Sequence, residues 1–401
     1  MTEGPIALLR DDAALGYDLG PEHPLAPVRV ELTHALIDAL GLSAAPGVVR
    51  PAPDPFDPAD LGRVHDPAYV AAVRDLSARL RTAADPRAVA RAAGAAAHGL
   101  GAGDTPAFAG MHEASLAVVG ASVAAARHVL SGRARHAFNP GGGLHHAMPD
   151  RAAGFCVYND PALAIDALLR DGAERVAYVD VDVHHGDGVE RIFRADRRVL
   201  TISLHESGQF LFPGTGEPDD VGEAGAEGSV VNVPLAPRTP GEVWLGAFDA
   251  VVEPLVRAFA PDVLVTQLGC DTHHLDPLAH LALTLDDLAA LYARLHRLAH
   301  EAAGGRWVAT GGGGYRLVDV VPRAWALAFA EMTGAWSDGR PAALPPDWVD
   351  LVRMRLGVAA PEDLSDPAPH LEPSVREAVR GFAELSVATV RRLAFPHHGL
   401  R

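Results

Sequence analysis

Short apolar runs recur along the chain, each closed by glycines or polar side chains and followed by a stretch of helical periodicity. The predicted strands are 6–9, 135–138, 175–181, 199–204, 230–235, 262–268 and 306–310. The predicted helices are 28–40, 111–130, 161–169, 189–195, 242–259 and 285–303. Runs such as Val176-Ala-Tyr-Val179 and Val263-Leu-Val-Thr266 carry no polar alternation, as expected of strands covered on both faces. Gly132 and Gly172 stand where helix C-caps are expected, and Asn159 two residues before Pro161 marks a helix start. Strand-then-helix order repeated this often predicts an α/β fold, a single large domain whose mainly parallel central sheet is flanked by helices. In such folds the functional residues lie beyond the carboxyl ends of the strands. No repeat or long linker interrupts the pattern, and the Gly-, Pro- and Asp-rich stretch 334–346 is the best break. We therefore expect a catalytic domain over 1–335 and a C-terminal extension over 336–401, helical near 373–393 and packed on the same domain.

Composition narrows the function classes. The chain has 401 residues and a formal charge of −17, and all 34 of its basic residues are arginine, since lysine is absent. No basic face stands out for phosphate neutralisation, so direct nucleic-acid binding is not expected. Cys156 and Cys270 are too few for a disulfide-built scaffold and fit a reducing interior. The first residues, Met-Thr-Glu-Gly-Pro-Ile-Ala-Leu-Leu-Arg, lack the basic and apolar parts of a signal peptide, and no apolar run approaches the ~18 residues of a membrane span. The expectation is a cytoplasmic protein without a membrane partner.

Chemistry concentrates in the segments after the strands. In Tyr178-Val-Asp-Val-Asp-Val-His-His-Gly-Asp-Gly188, residues two apart point the same way along a strand. Asp180, Asp182 and His184 would then share one face and three valines the other. Two carboxylates and an imidazole are costly to bury without a balancing cation, which argues for a metal. Asp271, after another buried strand, can reach the same mouth and complete an Asp-His-Asp set that leaves room for water. Such a set suits Zn2+ and Fe2+ alike. The loop Asn139-Pro-Gly-Gly-Gly-Leu-His-His-Ala-Met-Pro149 presents His145 and His146 side by side, suited to divided acid–base work with Asp180 and Asp187 as partners. Thr310-Gly-Gly-Gly-Gly-Tyr315 brings a tyrosine that could donate to a developing oxyanion. Phe155 and Phe212 either anchor the core or line a narrow apolar channel.

Together these residues resemble the histone deacetylase family of the arginase/deacetylase superfamily, from about Tyr17 and His23-Pro24 to the helix after Tyr315. Within it, Gly110-Met-His-Glu-Ala114, Leu144-His-His-Ala-Met-Pro-Asp150 and Asp276-Pro-Leu-Ala-His280 are similar to the bacterial acetoin-utilisation branch. The resemblance implies that Asp182, His184 and Asp271 bind a catalytic Zn2+ or Fe2+. His146 paired with Asp187 would be the main base and acid, and His145 paired with Asp180 would hold charge and assist the leaving amine. Tyr315 would polarise the acyl carbonyl. Phe155 and Phe212 would wall a tunnel, Gly154 would offer a backbone acceptor, and Asp104 would orient the substrate backbone from the rim. A structural K+ or Na+ would sit among Asp180, Asp182, His184, Ser203 and Leu204.

The implied activity is hydrolysis of acetyl or short acyl amides on lysine side chains of proteins, with metabolic enzymes such as acyl-CoA synthetases as substrates. A small-molecule deacetylase acting on acetylpolyamines is the alternative. It ranks second because Leu278 stands where such enzymes place an acidic gatekeeper. Two departures stand out: Gly103 occupies a position often aromatic, and His273 and His274 follow the third metal ligand, which predicts a more polar, pH-sensitive rim.

Overall fold

The computed structural model describes residues 4–53, 56–85, 89, 95–101, 103–336 and 339–401. Eight strands form one sheet: β1 (Ile6–Leu8), β2 (Val48–Val49), β3 (His136–Asn139), β4 (Val176–Asp180), β5 (Val199–Glu206), β6 (Val230–Leu235), β7 (Val263–Gln267) and β8 (Trp307–Thr310). Their order is β2-β1-β3-β8-β7-β4-β5-β6, and every pairing is parallel. The described helices are α1 (Val28–Ala39), α2 (Pro67–Arg81), α3 (Met111–Leu130), α4 (Asp160–Arg170), α5 (Asp187–Phe193), α6 (Gly241–Phe259), α7 (Leu285–Ala302), α8 (Val321–Thr333), α9 (Pro346–Leu356) and α10 (Pro373–Leu393).

Two apolar layers sandwich the sheet, and strand alternation decides which residue enters which. Ala177 and Val179 join the layer beneath α6, α7 and α8, whereas Val176 and Tyr178 join the one beneath α3 and α4. The central strands β3, β8, β7 and β4 are therefore buried on both faces, which explains their unbroken apolar runs. The edges are blunted in different ways. β2 has two residues, and β6 carries Pro234, a residue tolerated where one side of the ladder is open. Over β6 lies α10, whose Ser386 hydroxyl donates to the Pro234 carbonyl at 2.7 Å. Helix α3 is long and apolar enough to cross a membrane, yet most of it is buried inside the protein.

Four elements were not called from periodicity: β2, α2, α8 and α9. Each of the three helices has proline in its first turn, a start signal that stands without a usable stripe. In α8 nearly every residue from Val321 to Ala330 is buried, so no polar face exists to set a period. The expected break at 334–346 falls partly outside the described residues. Beyond it, Trp348 is buried and donates its indole N–H to Leu32 O at 3.0 Å, while Val352, Leu364, Ala383, Val390 and Phe395 join the larger core.

The predicted polar rim at His273 is a misreading. His273 is 1% exposed and its ring donates to Asp366 at 2.8 Å, far along the C-terminal segment. His274 stacks on it and faces the Leu283 carbonyl. Asp366 also binds the buried guanidinium of Arg323 at 2.8 Å and accepts the Leu285 N–H at the start of α7. Burial alone would raise the Asp366 carboxyl, but the His273 hydrogen bond and the Arg323 charge outweigh it and hold the group at about 2, against an ordinary 3.8. A depressed carboxyl stabilises the fold fully above its ordinary value and loses that contribution as pH falls through the folded value. Asp366→Asn strands the Arg323 charge, so urea unfolding at pH 7 should show a loss of about 3 kcal/mol. The gap to the parent protein should hold down to pH 4 and narrow between about pH 4 and pH 2.

Candidate active site

The four central strands deliver the predicted cluster to one place. His145 and His146 follow β3, Asp182 and His184 follow β4, Asp271 follows β7, and Tyr315 follows β8. Regular strand geometry ends at Asp180, so Asp182 and His184 stand on the bend beyond it. The predicted division nevertheless holds for the valines, since Val179, Val181 and Val183 all enter one core layer.

At the centre, one oxygen of Asp182 and one of Asp271 lie 3.0 and 3.1 Å from the same nitrogen of His184. All three side chains are nearly inaccessible, and each offers a ligand atom within 4.8 Å of the others. A Cβ on Gly313 would overlap both carboxylates, so the glycine loop after β8 can close on them only because it has no side chains. The Gly313 N–H and the Gln267 amide each donate to Asp182 at 2.7 Å, and the Val183 N–H donates to Asp271 at 2.9 Å. The remaining lone pairs converge on His184. Two buried carboxylates and one imidazole form an oxygen-rich set that fits a divalent cation. Burial first and Asp182 second raise the Asp271 carboxyl against the lowering pull of His184, which marks like charge crowded together.

Beside this set the two histidines differ in charge. His145 donates from Nδ1 to Asp180 at 2.7 Å, and His146 donates from Nδ1 to Asp187 at 2.7 Å. Their Nε2 atoms are 3.0 Å apart and share one proton. Burial opposes charge on both rings. For His145 the Asp180 and Asp182 carboxylates overcome it and hold the group at about 9. For His146 burial and the neighbouring His145 charge prevail and lower it to about 4. A charged donor therefore faces a neutral acceptor, the division that acid–base chemistry needs. Burial, then Asp271, raises the Tyr315 hydroxyl well above its ordinary value, keeping it a donor.

The aromatic residues form a collar. The Phe212 ring stands edge-on to His146 at 5.0 Å and to His184 at 6.4 Å, and is 43% exposed. Phe155 meets Tyr315 edge-on at 5.7 Å. Phe155 has φ 70°, an uncommon conformation held because the Tyr17 hydroxyl donates to its carbonyl at 2.7 Å and accepts from Val157 at 2.9 Å. Asp104 is exposed at the rim and accepts the Gly154 N–H at 3.0 Å. Leu278 is half-buried and tied in through its backbone, whose N–H donates to Asp276. Ser203 lies in register with Asp180, receives the Gly186 N–H and contacts His205, with buried Leu204 next on the strand.

Three contributors escaped the sequence reading. Asp276 accepts the Tyr315 N–H at 2.8 Å, Gln267 clamps Asp182, and buried Arg29 donates to the carbonyls of Gly312 and Gly314 while lying over Trp325. Asp276 stands inside a motif singled out above, and Gln267 inside the predicted strand 262–268. Arg29 sits in an ordinary helix and carried no signal.

A parallel α/β sheet with carboxylates, paired histidines and a tyrosine gathered at its carboxyl edge defines a hydrolase of the arginase/deacetylase fold with a candidate metal site. Residues 23–332 match the histone deacetylase domain, and the chain belongs to that family, whose members are deacetylases. It is 39% identical over 361 residues to the acetoin utilization protein AcuC of Bacillus subtilis, covering 90% of each chain. Likeness to the AcuC proteins of Staphylococcus aureus strain MRSA252 is 36%, covering 90% of this chain and 93% of that one. For Staphylococcus xylosus it is 34%, covering 88% and 92%.

Gly154 generates a prediction. At φ 52°, its missing Cβ would overlap the His146 ring. Gly154→Ala should displace that imidazole and lower kcat/KM for an acetyl-amide substrate about 100-fold, with circular dichroism and melting showing an intact fold. Near-normal kcat/KM would remove the need for this close approach.

Proposed function

We propose that the protein removes acetyl, or another short acyl group, from lysine side chains of proteins in a metal-dependent hydrolysis. The observation that carries this reading is the unequal pair His145–Asp180 and His146–Asp187 beside Asp182, His184 and Asp271. A divalent cation held by those three side chains, Zn2+ or Fe2+, would supply Lewis acidity toward an amide carbonyl and make water a better nucleophile. Neutral His146 takes the proton of the attacking water at Nε2 once that atom gives up its contact with His145, and Asp187 fixes the tautomer that leaves Nε2 unprotonated. Tyr315 donates to the carbonyl oxygen as negative charge develops there. The carbon–nitrogen bond of the amide then breaks, and the histidine pair returns a proton to the departing lysine amine. His145, held charged by Asp180, stabilises the negative charge that builds beside it.

Phe155 and Phe212 would flank the lysine methylenes, Gly154 would accept a hydrogen bond from the substrate, and Asp104 would turn from Gly154 to grip the substrate backbone. Leu278 at the rim offers no trap for a second cation, which favours a peptide over a polyamine. A K+ or Na+ among Asp180, Asp182, His184, Ser203 and Leu204 would stiffen the bend after β4. Residues 1–335 would act as the catalytic unit with 336–401 as a packed extension. The relatives' role in acetoin utilization and the acidic surface support cytoplasmic metabolic enzymes, acyl-CoA synthetases among them, as substrates.

The test is an assay of the metal-loaded protein on an acetyl-lysine peptide and on an acetylpolyamine. Chelation should abolish cleavage. His146→Ala should lower kcat about 100- to 10,000-fold, and Tyr315→Phe about 100- to 1,000-fold. Faster cleavage of the polyamine would transfer the assignment to small-molecule substrates, and no metal-dependent amide cleavage of either would overturn it.

A further inference from the structure

A second group of metal-ligating side chains lies at the other end of the same sheet. His136 opens β3 in register with Trp307 at the start of β8, whereas the candidate active site lies beyond the far ends of these strands. His296 and His300 stand one turn apart on α7, so both rings project to one face toward His136. The Nε2 atoms of His136 and His296 are 3.2 Å apart, and those of His296 and His300 are 3.1 Å apart. All three rings offer a nitrogen within 4.8 Å of the others.

We propose that His136, His296 and His300 form a second metal site that takes Zn2+. Zn–N bonds of about 2.0–2.1 Å at a tetrahedral angle separate neighbouring nitrogens by about 3.3 Å, close to the spacings between these rings. Glu331 on α8 accepts from Nδ1 of His296 at 3.0 Å, which fixes that ring with its Nε2 lone pair aimed at the other two. A cation in the middle accepts electron density from all three rings. Burial first, then His296 and His300, lower the His136 pKa to about 3, so this ring presents a lone pair and not a charge.

His136 is fully buried, while His296 and His300 are half-buried, so the cluster lies near the protein surface. Three imidazoles with no oxygen ligand disfavour Mg2+ and Ca2+, and a compact arrangement of this kind suits tetrahedral Zn2+ better than square-planar Cu2+. Such an ion would tie β3 to α7 directly and to α8 through Glu331. The proposal stands independently of the reaction assigned above.

The test compares Zn2+ stoichiometry by titration and elemental analysis of the full chain, stripped of metal beforehand. The parent protein should bind one equivalent more than His300→Ala. In a His184→Ala background one equivalent should remain, and adding His300→Ala should remove it. Glu331→Gln, which alters a partly exposed side chain and preserves its shape, should weaken that equivalent about 10- to 100-fold. Metal count unchanged in folded His300→Ala, or unchanged affinity in Glu331→Gln, overturns the proposal.

Discussion

The structure is organised around the burial of Asp182 and Asp271 against a single imidazole, that of His184. Charge taken out of water must be compensated within hydrogen-bond reach, and here the compensation comes from four strands at once. Burial would raise Asp182, but the charges and hydrogen bonds of His145, His184 and Gln267 overcome it and hold it ionised, while the neighbouring Asp271 is raised. The same requirement explains the bare glycine loop at Gly313, the buried Gln267 amide and the buried Arg29 that pins the loop carbonyls. Parallel strands are the natural support, because adjacent carboxyl ends bring residues distant in sequence to one edge.

The same logic sorts what could be read from the chain. The buried strands were legible, since β4, β5, β7 and β8 are covered on both faces and write that into apolar runs. The spacing of Asp180, Asp182 and His184 was legible as a cluster, although only Asp180 proved to lie within regular strand. Asp271 could be paired with them because β7 neighbours β4. Helix α8 left no pattern because it is buried all round, and α9 exposes most of its length and buries mainly Trp348 and Val352. Arg29 was invisible for a different reason. Its role depends on contacts with Gly312 and Gly314, which lie at the far end of the catalytic segment.

His273 shows the reverse error. Its place two residues after Asp271 suggested the rim, yet the chain turns inward there and the ring binds Asp366. Proximity in sequence to a ligand says little about side-chain direction once regular strand has ended. The collar was read more closely. The sequence leaves Phe155 and Phe212 open between core and channel, and both flank the polar cluster, with Tyr17 enforcing the unusual backbone of Phe155. The C-terminal segment is thus bound to the body in several places, first through Trp348 on α1, second through Asp366 beneath α7 and α8, and also through Ser386 on β6.

That second attachment bears on how the molecule comes into being. Asp366 lies 93 residues beyond His273 and 43 beyond Arg323, so both are synthesised before their carboxylate exists. Until it arrives, an arginine destined for the interior has only the Asp319 carbonyl among its final partners, because those of Asp363 and Ser365 come with the same segment. The sheet can assemble from its strands, but the turn carrying Asp271 acquires its final backing only from the segment around Asp366. The backing of the pocket is in this sense completed late, by residues far along the chain from the ligands they support.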